Sequence, residues 1–496
     1  MLDVDRIEDV DQLRDVARLL SRTVDHLQTK YDELRRELVK LRDAAAQGRL
    51  SMEIEAHQAF LERARREWEG KISEKRSARE PEPRKKQRGH GPRCQPTLPV
   101  DEQIHQLLEC DLVCPACGDK LEEMPGQYEE SEEITVVRRH FRMLRHKRQK
   151  YRCRCNGAVV TAPPPLKLIP GGRYSIEFAV EVAAGKYIDH LPLDRQRRMM
   201  GREGLRIDTQ TMWDQIEVLH RHLRPSYAAL LGHILSQPQV GADETWWRVM
   251  SNKSSKRWWN WCLSTSDAAF HQIHPSRSSD VAVELLKGYE GVVMTDAYVA
   301  YDVLARAGPK IEQAHCWAHV RRKYIEIEDH YPEACQQILD LIGELYEIEK
   351  SVPDTSDALE LRARVRDERS RNVVAAIKQW ALAQRSSPRS ALREAIDYML
   401  KLWPGLTAFL ENPRVALDNN ATERALRPVV LGRKNHYGSR SRRGTEVAAV
   451  FYSLLDTARL CGLDPKDYLL KAAKAAIEEP GSALLPQDLA ADIAPA

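Results

Sequence analysis

Leucine recurs at every seventh position near the start of the chain, at Leu13, Leu20, Leu27, Leu34 and Leu41. A second series of apolar or aromatic residues, running from Val10 to Leu38, falls three positions before each of these leucines. The positions between the two series are mostly charged or glutamine. This narrow 3.5-residue repeat predicts a coiled-coil zipper and therefore a homo-oligomer. The alternative is one amphipathic helix lying on the chain's own core.

Helical periodicity dominates between about residues 172 and 235. The segments LPLDRQRRMMGREGL and DTQTMWDQIEVLHRHL predict two helices joined at Gly204, with Asp208 or Thr209 capping the second. This is the outline of a helix-turn-helix that binds DNA. A plain helical hairpin of the core fits the same pattern.

A different pattern follows, in which apolar and β-branched runs alternate with short polar breaks. VGADETWWRVM and RWWNWCLSTSD predict a hairpin, SDVAVELLKGY a short helix, GVVMTDAY a buried strand and KIEQAHCWAH a further strand. Strand, strand, helix, strand and strand is the order of an RNase H-like core. Residues 325–412 are almost wholly helical in pattern, which predicts a helical insertion that covers the active site or grips DNA ends.

Length and charge narrow the class of protein. At 496 residues, the chain exceeds the length at which one core keeps growing, so a multidomain α+β protein is expected. No apolar run is long enough to span a bilayer and the N-terminus is charged from Asp3 onward, which predicts neither signal peptide nor anchor. The net charge of +3 hides a basic segment from Lys71 to Arg93 with nine Lys or Arg against three Glu. Such a segment is either a flexible arm for DNA phosphates or a solubilising linker.

Four of the ten cysteines form two close pairs, Cys114 with Cys117 and Cys153 with Cys155. In a reducing compartment such pairs indicate metal ligands or thiols over disulfides. Their spacing predicts one structural Zn²⁺ with four sulfur ligands, the alternative being four unmetallated cysteines. The basic stretch before Arg152 makes DNA contact plausible whether or not zinc is bound.

Three acidic residues stand out in the second half of the chain. Asp243 and Asp296 each end a predicted strand, and Glu423 lies in a segment that opens with Asn-Asn and is predicted to be helical. Carboxylates at strand ends and on a neighbouring helix can hold two Mg²⁺, or Mn²⁺, ions for phosphoryl transfer. Nearby, His315, Cys316 and His319 could ligate a metal or support the site, or could simply pack.

Basic side chains concentrate around these acids, as expected where a polyanion approaches carboxylates. The residues predicted to bind DNA are Arg195, Arg197, Arg198, Arg321, Arg322, Arg424, Arg427, Arg433, Lys434 and Arg440.

Five sequence motifs around the three acids follow one another in a recognisable order. KYIDHLPLDRQ, ADET, TDAY, HCWAHVRRKY and NNATERALRPVVLGRKN resemble the IS66 family of DDE transposases, from about residue 95 to about residue 475. The resemblance implies a bacterial, cytoplasmic, nucleoid-associated protein that cuts transposon ends and joins them to target DNA, with accessory proteins of the same element as possible partners. It also implies a zinc-binding module, from whose pattern the chain departs by having Cys-x-Cys in place of the second Cys-x-x-Cys.

The predicted boundaries combine these patterns. They are a coiled-coil zipper (1–45), a basic linker (46–95), a zinc-binding module (96–165), a helix-turn-helix-like DNA-binding region (166–235), an RNase H-like core in two parts (236–324 and 413–475) around the helical insertion (325–412), and a C-terminal tail (476–496). Two other functions remain open from the sequence. An RNase H-like nuclease would cut without joining, and a zinc and zipper DNA-binding regulator would use the acids only structurally.

Overall fold

The structure is a computed structural model that describes most of the chain beyond residue 140. The described residues are 100, 102, 104, 106, 115–116, 118–122, 125–126, 141–152, 159–250, 255–304, 310–353, 358–387 and 389–491. The predicted coiled coil, the basic linker and all four predicted zinc cysteines lie outside them. Described residues from 143 onward belong to one compact unit, and those up to 142 belong to a second.

The strands form two sheets. β1 (Lys150–Arg152) and β2 (Val159–Thr161) make a short antiparallel ribbon. The larger sheet contains β3 (Gln239–Met250), β4 (Ser255–Ser264), β5 (Ala269–His274), β6 (Gly291–Thr295) and β7 (Ile311–His315), in the order β5-β4-β3-β6-β7. β3, β4 and β5 are antiparallel neighbours, whereas β6 and β7 run parallel to β3. The larger sheet is therefore mixed.

The strands form where β-branched and aromatic residues cluster. β3 and β4 pair with Trp247 opposite Trp258, and aromatic cross-strand pairs of this kind stabilise a hairpin. Along β6, Val292, Val293 and Met294 are all buried, as expected of a parallel strand covered on both faces. The predicted hairpin and both later strands are confirmed.

β5 was absent from the predicted order of elements. Its residues Ala269, Phe270 and His271 are consecutive and all buried, so the strand lacks the alternation of exposed and buried positions that marks a half-buried strand. A helix also covers it, because the backbone N–H of His271 donates to the Ser453 hydroxyl at 2.7 Å. The order is thus three antiparallel strands, a helix and two parallel strands.

Helices make up most of the remaining described chain. They are α1 (Ile176–Tyr187), α2 (Leu193–Arg202), α3 (Thr209–Leu235), α4 (Ser279–Leu285), α5 (Val299–Asp302), α6 (Trp317–Ile325), α7 (Pro332–Lys350), α8 (Leu359–Val365), α9 (Arg371–Ala383), α10 (Ala391–Lys401), α11 (Trp403–Glu411), α12 (Asn420–His436), α13 (Arg442–Leu460), α14 (Pro465–Glu478) and α15 (Pro486–Ala491). None of these helices is both long and apolar enough to cross a membrane, within the described residues.

The two helices predicted around Gly204 are α2 and α3. Gly204 has a φ of 91°, a left-handed conformation that glycine adopts without strain, and Asp208 is the N-cap residue of α3. α3 is long, buries Ile216, Leu219 and Leu223, and packs on α13, α14 and β5. This region therefore shares a core with the larger sheet.

Residues 325–412, predicted to form a helical insertion, contain α7 to α11 and a short π-helical turn at Arg366–Ser370. The buried residues of this segment join those of β6, β7 and α6 in one cluster. Trp317, completely buried at the start of α6, donates from its indole N–H to the Leu406 carbonyl at 2.8 Å. Arg366 is buried and paired with Glu349, its Nε lying 2.7 Å from Oε1. The insertion is thus packed against one edge of the sheet.

Candidate active site

The strand register sets Asp243 beside Asp296. β3 and β6 pair in parallel, with Gly241 opposite Met294. Continuing this register by two residues brings Asp243 level with Asp296, one residue beyond the end of β6. Neighbouring strands lie about 4.8 Å apart, and residues at one level project to the same face. Two acids that are 53 positions apart in the sequence therefore lie side by side on one face of the sheet. Asp243 lies within β3, which continues to Met250, and does not end the strand as predicted.

Asp296 is held in a tight turn that follows β6. Its Oδ1 accepts a hydrogen bond from the Tyr298 N–H at 2.9 Å, and Thr295 Oγ1 accepts one from the Ala297 N–H at 3.2 Å. Ala297 has a left-handed φ of 66°, which costs an L-residue about 1–2 kcal/mol. The Tyr398 hydroxyl of α10 donates to the Asp296 carbonyl at 3.4 Å. These contacts hold the acid at the strand end.

Glu423 lies in the first turn of α12, and the start of that helix is bonded to β3. The side-chain amide of Asn419, the N-cap residue, donates to the Ala242 carbonyl at 3.1 Å. The hydroxyl of Thr422 lies 2.7 Å from the hydroxyl of Ser264 on β4. Since Ala242 directly precedes Asp243, these bonds bring the acid of the helix to the acids of the strands.

Gly241 permits this close approach. A Cβ at that position would lie 2.7 Å from Asn419 Oδ1 and closer still to Thr422 Oγ1, both of which are buried and hydrogen-bonded. Real Cβ atoms do not tolerate such separations, so a larger residue would displace the start of α12. The glycine is required here for space, as its φ is not in the left-handed range.

The carboxylates influence one another electrostatically. Burial raises the pKa of Asp243 well above its usual range, and the negative charges of Asp296, Glu244 and Glu423 raise it further. A hydrogen bond from the Glu244 N–H, at 2.7 Å from Asp243 Oδ1, opposes this rise in pKa. Strongly perturbed acids of this kind concentrate at functional sites.

Two side chains of α6 lie close to Glu423. Its Oε1 lies 3.4 Å from His319 Nε2 and 3.6 Å from Arg322 Nη2. Among the residues that the structure describes, no three His, Cys, Asp or Glu side chains lie close enough together to hold a metal ion as they stand. Repulsion between the carboxylates, and the attraction of Glu423 to α6, are consistent with this separation.

A fourth carboxylate, Glu244, was not among the predicted site residues. It is buried; its Oε1 accepts bonds from Arg277 Nε at 2.9 Å and Nη2 at 2.7 Å, and its Oε2 accepts one from the Tyr301 hydroxyl at 2.9 Å. Burial raises the pKa of Glu244, while the bonds from Arg277 and Tyr301 oppose that rise. Since consecutive strand residues face opposite sides, Glu244 points away from Asp243. The sequence signal for Glu244 was its position directly after Asp243 in the ADET motif.

His315, Cys316 and His319 lie at the junction of β7 and α6. Cys316 Sγ accepts a hydrogen bond from the Asn419 N–H at 3.2 Å, and burial raises the pKa of the thiol to about 12. A neutral thiol is a poor metal ligand. The His315 ring packs so closely against Gly405 that a Cβ there would overlap it. Of the three, His319 is the residue that faces an acid of the site.

The predicted DNA-binding residues fall on separate elements. Arg195, Arg197 and Arg198 are exposed on α2, and the last two pair with Asp194. Arg321 and Arg322 are half-buried on α6. The exposed members on and after α12 are Arg424, Arg427, Lys434 and Arg440.

Arg433 differs from these because it is buried. Its side chain extends along β3, where Nη1 donates to Thr245 Oγ1 at 3.2 Å and to the Trp246 carbonyl. Groups of β3 therefore hold its guanidinium in place.

Two family models match the chain. One, described as the transposase IS66 family, matches residues 171–447, which include Asp243, Asp296 and Glu423. The other, described as the zinc-finger binding domain of transposase IS66, matches residues 111–156, which include all four predicted zinc cysteines.

Three proteins of Sinorhizobium fredii (strain NBRC 101917 / NGR234) are similar to this chain. Uncharacterized protein y4jD is 33% identical over 360 residues, which cover 68% of this chain and 70% of the relative. Uncharacterized proteins y4hP and y4qI are 29% identical over 395 residues and 30% identical over 390, each match covering 74% of this chain and 71% of the relative. The first family model spans more than half of the sequence, and the five motifs that resemble this family lie within the matched range. The chain therefore belongs to the IS66 family of transposases.

Proposed function

We propose that the protein binds the inverted-repeat ends of its transposon and catalyses strand cleavage and strand transfer through Asp243, Asp296 and Glu423. The observation that carries this proposal is the placement of the three acids on adjoining elements. The β3–β6 register sets two of them side by side, and Asn419 seats the start of α12 against β3. Their mutual effect on the pKa of Asp243 supports the same grouping. Family membership implies transposition, which acts on DNA.

The topology supports an RNase H-like catalytic core. Three antiparallel strands are followed by two parallel ones. Asp243 lies on β3, and Asp296 directly follows the adjacent strand β6. The helical insertion separates β7 from α12, which carries the third acid. Because α10 reaches the Asp296 carbonyl through Tyr398, covering the active site is the role proposed for the insertion.

The donor atoms fit divalent cations. Carboxylate oxygens suit Mg²⁺ and Mn²⁺. Burial and then the neighbouring carboxylates raise the pKa of Asp243, and a positive ion would offset the repulsion from those carboxylates. Asp243, Asp296 and Glu423 are the residues that would hold two such ions. When bound, these ions supply activation of the attacking oxygen and stabilisation of the leaving oxygen.

Three groups close to the acids are poorly suited to act as covalent nucleophiles. The pKa values of the Cys262 and Cys316 thiols are raised by burial, so neither is a thiolate near neutral pH. Burial and the nearby carboxylates likewise raise the pKa of Tyr301, whose hydroxyl already donates to Glu244. Water in the first step, and a DNA 3′-hydroxyl in the second, are therefore the proposed nucleophiles.

The proposal is tested by supplying a pre-cleaved transposon end with a free 3′-hydroxyl, Mg²⁺ and supercoiled plasmid. Joined product, without a protein–DNA adduct that resists denaturant, is the expected result. Cleavage of an intact end with no joining would favour an RNase H-like nuclease. Absence of both reactions would favour the DNA-binding regulator, and a trapped adduct would overturn the proposed chemistry.

Zinc is expected at one ion per chain, held by Cys114, Cys117, Cys153 and Cys155, because these residues lie within the matched zinc-finger segment. Cys114→Ser and Cys153→Ser should each lose the zinc and weaken binding to transposon ends. Metal analysis of the purified proteins measures the loss, and Cys461→Ser, outside that segment, is the control. Wild-type protein without zinc would show that the Cys-x-Cys pair does not complete a site.

The proposed oligomer depends on the leucine repeat. Deleting residues 1–45 should lower the mass measured by light scattering to that of a smaller assembly, since the heptad seam would be gone. Thermal unfolding of the remainder should change little, because the described core lies elsewhere in the chain. An unaltered mass after the deletion would refute the zipper.

A further inference from the structure

Trp246 is an exposed tryptophan close to the acids of β3. Its side chain is 37% exposed, whereas the next residue, Trp247, is completely buried. Three residues of extended strand separate Trp246 from Asp243, which places their Cα atoms about 10 Å apart. Large aromatic side chains left in water commonly mark interaction surfaces.

Two guanidinium groups flank this ring. Arg433 Cζ lies 3.8 Å from the ring centroid, and Arg257 Cζ lies 5.7 Å from it. The bonds from Arg433 to Thr245 and to the Trp246 carbonyl hold its guanidinium over the ring. Its Nε is buried and has no hydrogen-bond partner among the described residues. Protein groups thus hold the Arg433 guanidinium over the Trp246 ring, and its Nε–H remains an unused hydrogen-bond donor among the described residues.

Among the described residues, no carboxylate pairs with the two positive charges beside Trp246. Within the described residues, neither Arg257 nor Arg433 takes part in an ion pair, and burial together with the charge of Arg257 lowers the pKa of Arg433. Arg248, exposed, lies directly opposite Arg257 in the hairpin. A negatively charged ligand would supply the missing charge.

Trp246 lies on the same face of the hairpin as Glu244, opposite to the Asp243 side chain, and this face leads to the turn that holds Asp296. Trp259 lies directly opposite Trp246, and residues paired in this way project to one face. Arg277 Cζ lies 4.5 Å from the Trp259 ring centroid and 3.9 Å from that of Tyr298. Tyr298 is two residues beyond Asp296 and donates its N–H to that carboxylate. Aromatic rings and guanidinium groups therefore alternate from Trp246 to the Asp296 turn.

We propose that Trp246, Arg433 and Arg257 form a stacking platform for an unpaired nucleotide of the DNA strand beside the cleaved phosphate. The base stacks on the ring and guanidinium surface, and the arginines bind its phosphate. Every base has a π-face, so such stacking tolerates any sequence, whereas bases of an intact duplex are not free to make it. The inference rests on the proposed function, because it assigns a substrate contact to that active site.

The test uses the full chain carrying Asp296→Asn, with Mg²⁺ replaced by Ca²⁺, and two fluorescent DNA probes. One probe is a blunt duplex and the other is the same duplex with a short single-stranded 3′ extension that contains 2-aminopurine. The parent protein should bind the extended probe more tightly and quench the 2-aminopurine. Trp246→Ala should lose about tenfold in affinity for the extended probe only, and Trp246→Phe should keep most of it. Leu382→Ala, an exposed apolar residue of α9, is the control and should bind both probes as the parent does.

Equal affinity of Trp246→Ala and its parent for the extended probe would overturn the platform, as would an equal loss on both probes. Arg257→Ala should weaken binding of the extended probe and lower the salt dependence of that binding by about one phosphate contact. Failure of the platform is distinguishable from failure of the proposed function. In the first case wild-type protein still cuts and joins ends, and in the second case it does neither.

Discussion

Asp243→Asn and Asp296→Asn should each lower the rate of transposon-end cleavage by about a thousandfold or more. Loss of a carboxylate from a divalent-cation site removes several kcal/mol of stabilisation from a phosphoryl-transfer transition state, and each 1.4 kcal/mol is about tenfold in rate. Cleavage of an end duplex in Mg²⁺ measures the effect. Asp340→Asn, an exposed acid on α7, should retain the wild-type rate. A folded variant of Asp243, Asp296 or Glu423 with wild-type activity would remove that residue from the site.

Asp243→Asn should also stabilise the metal-free protein near neutral pH, by on the order of 1 kcal/mol. The pKa of Asp243 is raised in the folded state, so folding favours its protonated form. Stability from that proton is present at low pH and is lost as the pH rises through the folded-state pKa. Asn, which cannot ionise, avoids this loss. Thermal unfolding should therefore show little difference between the two proteins below about pH 4 and a higher Tm for the variant above it. A lower Tm for the variant at neutral pH would contradict the raised pKa.

Gly241→Ala should impair both folding stability and catalysis. The added methyl would overlap the buried oxygens of Asn419 and Thr422, and overpacking of this kind costs about 1–3 kcal/mol. Relief of the overlap moves the start of α12, which carries Glu423. A displacement of about 1 Å in an active site can lower a rate about a hundredfold. Urea unfolding and end cleavage measure the two losses.

Gly343→Ala is the matched control, because a Cβ at Gly343 in α7 would meet no atom within 4 Å. That variant should keep wild-type activity and gain up to about 1 kcal/mol, since alanine favours the helix. Combining Gly241→Ala with Thr422→Ala should recover part of the rate, as the nearest oxygen is removed. Wild-type stability and rate in Gly241→Ala alone would show that α12 tolerates displacement.

Several elements could be predicted from local patterns because short-range physics decides them. The consecutive apolar residues of β6 and the helical periodicity of α3 are such cases, and both are confirmed. The order of motif words around Asp243, Asp296 and Glu423 also identified the family, which the family models confirm. β5 was missed because α13 and α3 pack on it, and the burial of its consecutive residues removes the alternation that would have marked it.

The sequence by itself determined the family, the three acids of the predicted site and the helical character of the insertion, since each is written in residue type and spacing along the chain. Only the tertiary structure decided that Asp243 and not Glu244 lies level with Asp296, that Gly241 makes room for α12, and that Trp246 is exposed beneath Arg433. The physical reason is that these features depend on which way a side chain points and on which distant residues it meets after folding. The bond between Asn419 and Ala242 spans 177 residues, and no local pattern records which strand a helix will meet.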